Sequence, residues 1–162
     1  MKPLFDLIEP GQFLDLGAYT FDAEEIVAFA SRYDPQRFHL DAKAARGSIF
    51  GGLCASGWHT VSVWMRLNVL HGRDEMVRVT GYRGPTVTFG PSPGVRDLNW
   101  LRPVYAGETV HYSSTVLSKR RSASREGWGI VTNDARAALA DGTPVMSMKG
   151  SVLVPTSMPR VS

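Results

Sequence analysis

The sequence has little cysteine, no long apolar run and no strong excess of charge of one sign. Among its 162 residues there is 1 cysteine, Cys54, so an intrachain disulfide is excluded. Cys54 lies in an apolar stretch, which favours a small buried hydrophobic residue over a nucleophile. No stretch approaches the roughly 20 apolar residues that a membrane-spanning helix needs, so we expect no membrane association.

The formal net charge is only +3, from 18 basic and 15 acidic residues. This excess is too small to indicate nucleic-acid binding. Most of the basic residues are arginine, whose forked guanidinium suits phosphate recognition and is compatible with a phosphate-bearing ligand. Asp6, Glu9 and Pro10 interrupt the N-terminal segment before an apolar run develops, which argues against a signal peptide. We therefore expect a cytoplasmic protein.

The sequence lacks the motifs of several kinds of functional site. The 4 histidines and the cysteine do not have metal-ligand spacing, so we expect no metal. There is no glycine-rich phosphate loop followed by Lys-Ser/Thr and no Gly-x-Ser-x-Gly elbow. We expect no bound cofactor.

What the sequence does have is an acid and an imidazole five residues apart, in the stretch Tyr33–Asp41. Pro35 fixes its own φ and disfavours helix at Asp34, which indicates a loop. A carboxylate and an imidazole on one loop, here Asp34 and His39, can act together in general acid–base catalysis. The alternative is structural, with Asp34 capping a turn and His39 buried and satisfied.

The order of predicted elements is one strand, helices, then a run of strands. Asp22 with Glu25 resembles a capping box before a helix over Ala23–Arg32, and Asp41 can cap a short helix ending at Gly47. An apolar stretch from Gly52 to Leu70 predicts a long buried helix. Strands are predicted over residues 12–20, 76–83, 95–100, 108–118, 127–139 and 144–154.

This order is typical of a single α+β domain spanning residues 1–162, with a loose tail from about residue 155. Lys119, Arg120 and Arg121 form a predicted basic turn, either solvated or available to ligand phosphates. His59, in the apolar helix, is predicted to be a core or wall residue because no acid accompanies it.

Three features together resemble the MaoC-like dehydratase family, also called R-specific enoyl-CoA hydratases. That family carries an Asp, a His five residues later and a Gly opening a central helix, which correspond here to Asp34, His39 and Gly52. A strand followed by Arg-Pro-Val and a Gly-acidic turn also matches, at residues 98–108. The chain departs from the family pattern at Gln36, which stands where the family has Asn, and at Pro35, which comes earlier than usual.

The resemblance implies a hot-dog fold, in which an antiparallel sheet wraps a long buried central helix, and a homodimer with sites at its interface. It implies reversible hydration of a trans-2-enoyl thioester, with a coenzyme A (CoA) thioester as the expected partner. His39 would activate water, Asp34 would handle the proton delivered to carbon, and the Gly52 backbone N–H would face the thioester oxygen. Two alternatives stay open: a hot-dog acyl-CoA thioesterase and a non-catalytic acyl-thioester binding module.

Overall fold

A five-stranded antiparallel sheet and one long helix make up most of the structure, a computed structural model that describes residues 1–158. The helices are α1 Leu4–Leu7, α2 Ala23–Tyr33, α3 Arg37–Leu40, α4 Ala42–Arg46 and α5 Gly57–Thr80. The strands are β1 Phe13–Thr20, β2 Gly94–Trp100, β3 Thr109–Arg121, β4 Trp128–Leu139 and β5 Pro144–Pro155. Their order across the sheet is β1-β3-β4-β5-β2.

Alternating side chains give the sheet one face that packs on α5. In β3, Val110, Tyr112, Ser114 and Val116 are buried, whereas the residues that alternate with them are more exposed. Val63 and Leu67 of α5 belong to the same core, together with residues of β1, β4 and β5. This is the predicted α+β arrangement, a sheet wrapped around a central helix, because one face of each strand is apolar.

The long helix was predicted with wrong bounds. It begins at Gly57 instead of Gly52, with Ser56 as its N-cap, and it continues to Thr80. Gly72 lies inside the helix, where a Cβ would meet the Asn68 side chain of the same helix at 2.8 Å and Leu16 of β1 at an ordinary 3.8 Å. The helix ends at Gly81, whose φ of 66° is the left-handed conformation typical of a C-terminal glycine.

Two further expectations fail along this part of the chain. The strand predicted over residues 76–83 is largely the last turn of α5, since its weak alternation also fits a helix with Met76 buried. In addition, α5 is not buried all round: Trp58, Met65 and Val69 are exposed in the single chain. The helix therefore has an apolar outer face as well as an apolar inner one.

The predicted basic turn is also wrong, because β3 extends through Arg121. The Lys119 ammonium donates hydrogen bonds to the carbonyls of Phe5 and Asp6 and pairs with Glu9 at 3.1 Å. Lys119 thus ties the N-terminal helix to the sheet. A contact of Arg120 or Arg121 with ligand phosphates stays a prediction.

The shorter elements agree with their capping signals. Asp22 accepts a hydrogen bond from the Glu25 N–H, and Asp41 accepts from Lys43 and Ala44. At the tail, the Thr156 N–H donates to the Gly127 carbonyl at 2.9 Å, and residues 159–162 lie outside the described part of the chain. Within residues 1–158, no helix has the length and apolarity to cross a bilayer.

Candidate active site

The predicted acid and imidazole lie side by side. Asp34 directly follows α2, and Pro35 lies in the short non-helical segment before the single turn of α3, which carries His39. The Asp34 Oδ2 atom is 3.4 Å from the His39 Nε2 atom, and the two side chains are 18% and 7% exposed. His39 therefore belongs to a helical turn and not to an irregular loop. The separation is long for a direct hydrogen bond between them.

Both oxygens of the Asp34 carboxylate accept hydrogen bonds. The Ser56 hydroxyl donates to Oδ2 at 2.6 Å, and the Gln36 amide donates to Oδ1 at 2.7 Å. Burial would raise the pKa of Asp34, but these two hydrogen bonds and the nearby His39 outweigh it and hold the pKa below its ordinary value. Asp34 is therefore ionised at neutral pH.

The orientation of the His39 ring is set by a backbone carbonyl. The Nδ1 atom lies 2.7 Å from the Cys54 carbonyl oxygen. A carbonyl only accepts, so Nδ1 carries the proton, and in the neutral ring Nε2 presents its lone pair beside Asp34. Cys54 itself is 1% exposed, which confirms it as a buried residue, and burial raises the pKa of its thiol to about 11, which disfavours the nucleophilic thiolate.

Ser56 was not among the site residues predicted from the sequence, although it performs two roles. Its hydroxyl donates to Asp34 and accepts from the Trp58 N–H at 3.2 Å, so it also caps α5. A serine directly before an apolar helix is an N-cap signal, which would have placed the helix start correctly. Its contact with Asp34, 22 residues earlier, carries no sequence signal.

The start of α5 lies at Gly57, and this changes the role expected of Gly52. Gly52 precedes the helix by five residues, beside the Tyr105 ring, so it does not supply the helix N-terminus. The Gly57 N–H has no hydrogen-bond acceptor among residues 1–158. A Cβ at Gly57 would lie 2.5 Å from Trp100 Cε2, so only glycine fits beneath the indole. The unpaired Gly57 N–H therefore directly follows Ser56, which caps the next turn of α5.

The Arg-Pro-Val turn at residues 102–104 holds the segment that orients His39. Arg102 forms a two-pronged ion pair with Glu108, whose carboxylate also accepts from the Tyr105 N–H. The next part of this turn pairs with the segment around Cys54, since the Ala55 N–H donates to the Val104 carbonyl at 2.8 Å. The turn thereby holds the carbonyl that orients His39.

His59 takes no part in this arrangement. It is 6% exposed, and its ring stacks on Phe29 with centroids 4.5 Å apart. Burial lowers the pKa of His59 and keeps the ring neutral, against an opposing effect of the acids Glu25 and Asp22. The interpretation of His59 as a core residue is confirmed.

A cavity of about 440 Å³ lies further along α5, between the helix and the sheet. Asp34, His39 and Gly57 do not line it. Its wall begins at Trp64, seven residues beyond Gly57 or about 10 Å along the helix axis. The lining is mainly apolar and includes Leu14, Met76, Val87, Phe89 and Val152. Its volume lies in the range of small-molecule sites.

Comparisons with known proteins agree on the family. Residues 8–138 match the family model described as "MaoC like domain". A crystal structure of a MaoC-like dehydratase from Rhodospirillum rubrum superposes with a TM-score of 0.78 at 34% identity, covering 95% of this chain and 97% of that one. The Bacillus subtilis protein YdeM, described as uncharacterized, is 25% identical over 122 residues, 75% of this chain and 77% of its own length.

A more distant neighbour shares the fold. The (R)-hydratase from A. caviae involved in PHA biosynthesis superposes with a TM-score of 0.64 at 23% identity, covering 94% of this chain and 98% of that one. These matches confirm the hot-dog fold predicted from the sequence.

Proposed function

Because the chain belongs to the MaoC-like domain family, we propose that it catalyses the reversible hydration of a trans-2-enoyl thioester, with CoA as the expected thiol. The observation that carries the proposal is the pair formed by Asp34 Oδ2 and His39 Nε2, 3.4 Å apart, with Asp34 hydrogen-bonded to Ser56 at the start of α5. An ionised carboxylate and an imidazole lone pair on one side of a substrate can share one water molecule.

In this proposal His39 is the base. Its Nδ1–H is engaged by the Cys54 carbonyl, so Nε2 accepts a proton from the water. The water oxygen bonds to the β-carbon of the enoyl group as its O–H bond breaks. The imidazolium that forms is stabilised by the neighbouring Asp34 carboxylate.

Asp34 orients the water and completes the proton transfer. As a carboxylate it accepts a hydrogen bond from the second O–H of the water, which stays intact and becomes the product hydroxyl, and the hydrogen bonds from Ser56 and Gln36 fix the plane of the carboxylate. A proton held by the pair then passes to the α-carbon, so the hydroxyl and the proton reach the same face of the double bond.

The thioester carbonyl needs a donor because negative charge develops on its oxygen when the β-carbon is attacked. We assign this role to the Gly57 N–H, in place of the Gly52 N–H expected from the sequence. The Gly57 N–H has no acceptor among the described residues, and the dipole at the start of α5 favours negative charge. Ser56 directly precedes Gly57 and donates a hydrogen bond to Asp34. One segment would therefore position both the donor to the thioester carbonyl and the Asp34 carboxylate.

The acyl tail would extend from this site into the cavity along α5. The cavity lies about 10 Å further along the same helix and is mainly apolar. A tail of suitable length would leave water when it enters, which favours binding.

We also propose a homodimer formed through the β2 edge of the sheet, within the cytoplasm. β2 is an edge strand, and the surface around it exposes Val95, Trp100 and Leu101, with Trp58 and Met65 on the outer face of α5. An apolar edge of this kind is a docking surface for a second sheet. Light scattering would show a dimer, and Val95→Lys would convert it to a monomer.

Two alternative functions make different products. A thioesterase would release free CoA thiol, and a binding module would bind an acyl thioester without changing it. Loss of the conjugated enoyl absorbance, followed alongside a thiol reagent, separates the three. The proposal requires absorbance loss without thiol release, and it fails if thiol is released or no enoyl thioester is consumed.

A further inference from the structure

The start of α5 is covered by the side chain of Trp100, the last residue of β2. A Cβ at Gly57 would lie 2.5, 2.6 and 2.7 Å from the Cε2, Nε1 and Cδ2 atoms of that indole. Because these three neighbouring ring atoms are nearly equidistant, the face of the indole, and not its edge, lies against Gly57. The indole N–H lies in the ring plane, so it points along the surface of the helix start instead of into it.

Two sets of contacts hold the indole in this position. Its ring meets the Trp58 ring edge to face, with centroids 5.0 Å apart and ring planes at 79°. On the backbone, Trp100 is opposite Met146 of β5, and the following Leu101 N–H donates to the Val145 carbonyl at 2.8 Å. The indole is thus fixed relative to the helix start by the protein itself, as a preorganised donor must be.

The indole N–H is available to a ligand. Trp100 is 45% exposed, and Gly57 is partly exposed. Among the side chains of β2, those of Asp97 and Asn99 form hydrogen bonds within residues 1–158, and the Trp100 N–H forms none. The Gly57 N–H has no acceptor in the same range. Both N–H groups are therefore unpaired at a solvent-accessible surface.

The separation of the two nitrogens suits a single acceptor. A Cβ on a glycine lies about 2.5 Å from the glycine nitrogen, so the Trp100 Nε1 and the Gly57 nitrogen are no more than about 5 Å apart. Two N–H donors can share one oxygen at about 2.9 Å each when their nitrogens are less than about 5.8 Å apart. One carbonyl oxygen can therefore lie within hydrogen-bond distance of both nitrogens.

We propose that Trp100 is a catalytic residue, whose indole N–H joins the Gly57 N–H in binding the carbonyl oxygen of the thioester. The inference rests on the proposed function, which brings that carbonyl to Gly57, and it adds a second donor. Negative charge develops on the oxygen during attack at the β-carbon. A second fixed donor therefore stabilises the transition state more than the bound substrate, and the indole keeps its proton throughout.

Trp100→Phe tests the donor directly, because it keeps an aromatic ring beside Gly57 and removes the N–H. We expect kcat for hydration to fall by about 10²-fold, the lower end of the loss typical when one donor to an oxyanion is removed. KM should change far less, since the contact is strongest in the transition state. Trp128→Phe makes the same change at the start of β4 and should leave both constants unchanged. A wild-type kcat in Trp100→Phe would overturn the inference.

A saturated acyl-CoA thioester labelled with ¹³C at its carbonyl separates this inference from the proposed function. The ester cannot be hydrated, and each hydrogen bond to its carbonyl lowers the infrared C=O stretching frequency. We expect a lowered frequency when the ester is bound to wild type, and a partial return toward the value of the free ester in Trp100→Phe.

Each outcome of this measurement has a distinct meaning. If the return occurs but no enoyl ester is hydrated, the donor pair stands and the hydratase assignment fails. If enoyl esters are hydrated and the frequency in Trp100→Phe equals that in wild type, the donor pair is overturned, whatever the kcat of the variant, and the hydratase assignment stands. If no thioester binds, both fail.

NMR of the wild-type protein provides a second measurement if circular dichroism or light scattering shows that Trp100→Phe does not fold or assemble normally. The chain has 4 tryptophans, and Trp58→Phe, Trp64→Phe and Trp128→Phe identify the remaining indole N–H signal as that of Trp100. Hydrogen bonding to the carbonyl should move this signal downfield when the saturated acyl-CoA is added. A Trp100 signal that does not move at saturation would overturn the inference.

Discussion

Two regions along α5 differ in how their polar side chains are paired. At its N-terminal end, the Asp34 oxygens, the His39 Nδ1 and the Ser56 hydroxyl all have hydrogen-bond partners, and the buried His59 Nδ1 is the exception. About 10 Å further along, Trp64 and Asn133 each hold a buried atom with no partner in the described chain. The first region is held in one geometry by hydrogen bonds within the protein, as the proposed chemistry requires. The second lies beside a cavity whose lining is mainly apolar.

The largest expected effect is on the paired region. Asp34→Asn and His39→Ala should each reduce enoyl thioester hydration by about 10²–10⁴-fold, because each removes a group that handles the water proton. Circular dichroism should show a folded protein in both cases. His111→Ala, at an exposed position of β3, is the matched control and should leave kcat/KM unchanged.

Near wild-type kcat in either folded variant would show that the Asp34–His39 pair is not needed for hydration. The pair would then be structural, as in the alternative interpretation of Asp34 as a turn residue and His39 as a satisfied core histidine.

The next effect distinguishes the two glycines. A methyl group at Gly57 would lie 2.5 Å from the Trp100 indole, so in Gly57→Ala either the indole or the helix start must move, and we expect the Gly57 N–H to be displaced. A displacement of about 1 Å can cost roughly 10²-fold in rate. At Gly52 the methyl group would meet Tyr105 at an ordinary 3.5 Å. Gly52→Ala should therefore keep most of its activity.

Steady-state kinetics of both variants decides which glycine binds the carbonyl. The reverse pattern, a large loss at Gly52 and none at Gly57, would restore the assignment made from the sequence.

A smaller effect is expected from Ser56→Ala, which removes a donor to Asp34 and the cap of α5. Loss of the cap should destabilise the protein by about 1 kcal/mol. The Ser56 hydrogen bond lowers the pKa of Asp34, so its removal raises that pKa. The acid limb of the kcat/KM profile should then move to higher pH. Ser62→Ala, an exposed serine on the same helix, should move neither quantity.

An unchanged acid limb in Ser56→Ala would show that Asp34 ionisation does not control activity. The melting temperature, measured separately, reports the capping role alone.

The smallest effect concerns His59, which lies near the proposed catalytic end of α5 without belonging to it. Burial lowers its folded-state pKa, whereas the unfolded chain binds a proton below about pH 6.5. The unfolded state then holds more protons, so this contribution to stability is lost as pH falls below that value. His59→Phe should flatten the dependence of melting temperature on pH between about 6.5 and 5. An equally steep dependence would mean that other groups are responsible.

Local signals in the sequence predicted much of the fold. Asp22 and Asp41 mark helix starts by their caps, and the period-two pattern of β3 marks a strand facing a core. The extent of α5 was harder, because Gly72 resembles a stop and its packing beside Leu16 is a tertiary contact.

The site was predictable only in part for the same reason. Asp34 and His39 are close in sequence, so their spacing pointed to the pair. Ser56 reaches Asp34 across 22 residues, and Asn133 and Trp64 line one cavity from a strand and a helix, so neither arrangement leaves a local pattern. Contacts of this kind follow from the fold and cannot be read from residue spacing.

The most direct test of the central claim is hydration of a trans-2-enoyl-CoA in deuterated water, with the product examined by NMR. If Asp34 and His39 share one water, the product carries one deuterium at the α-carbon on the same face as the new hydroxyl, and CoA stays bound as its thioester. His39→Ala should give almost none of this product. Addition to opposite faces would contradict the shared water, and release of free CoA would contradict the hydratase assignment itself.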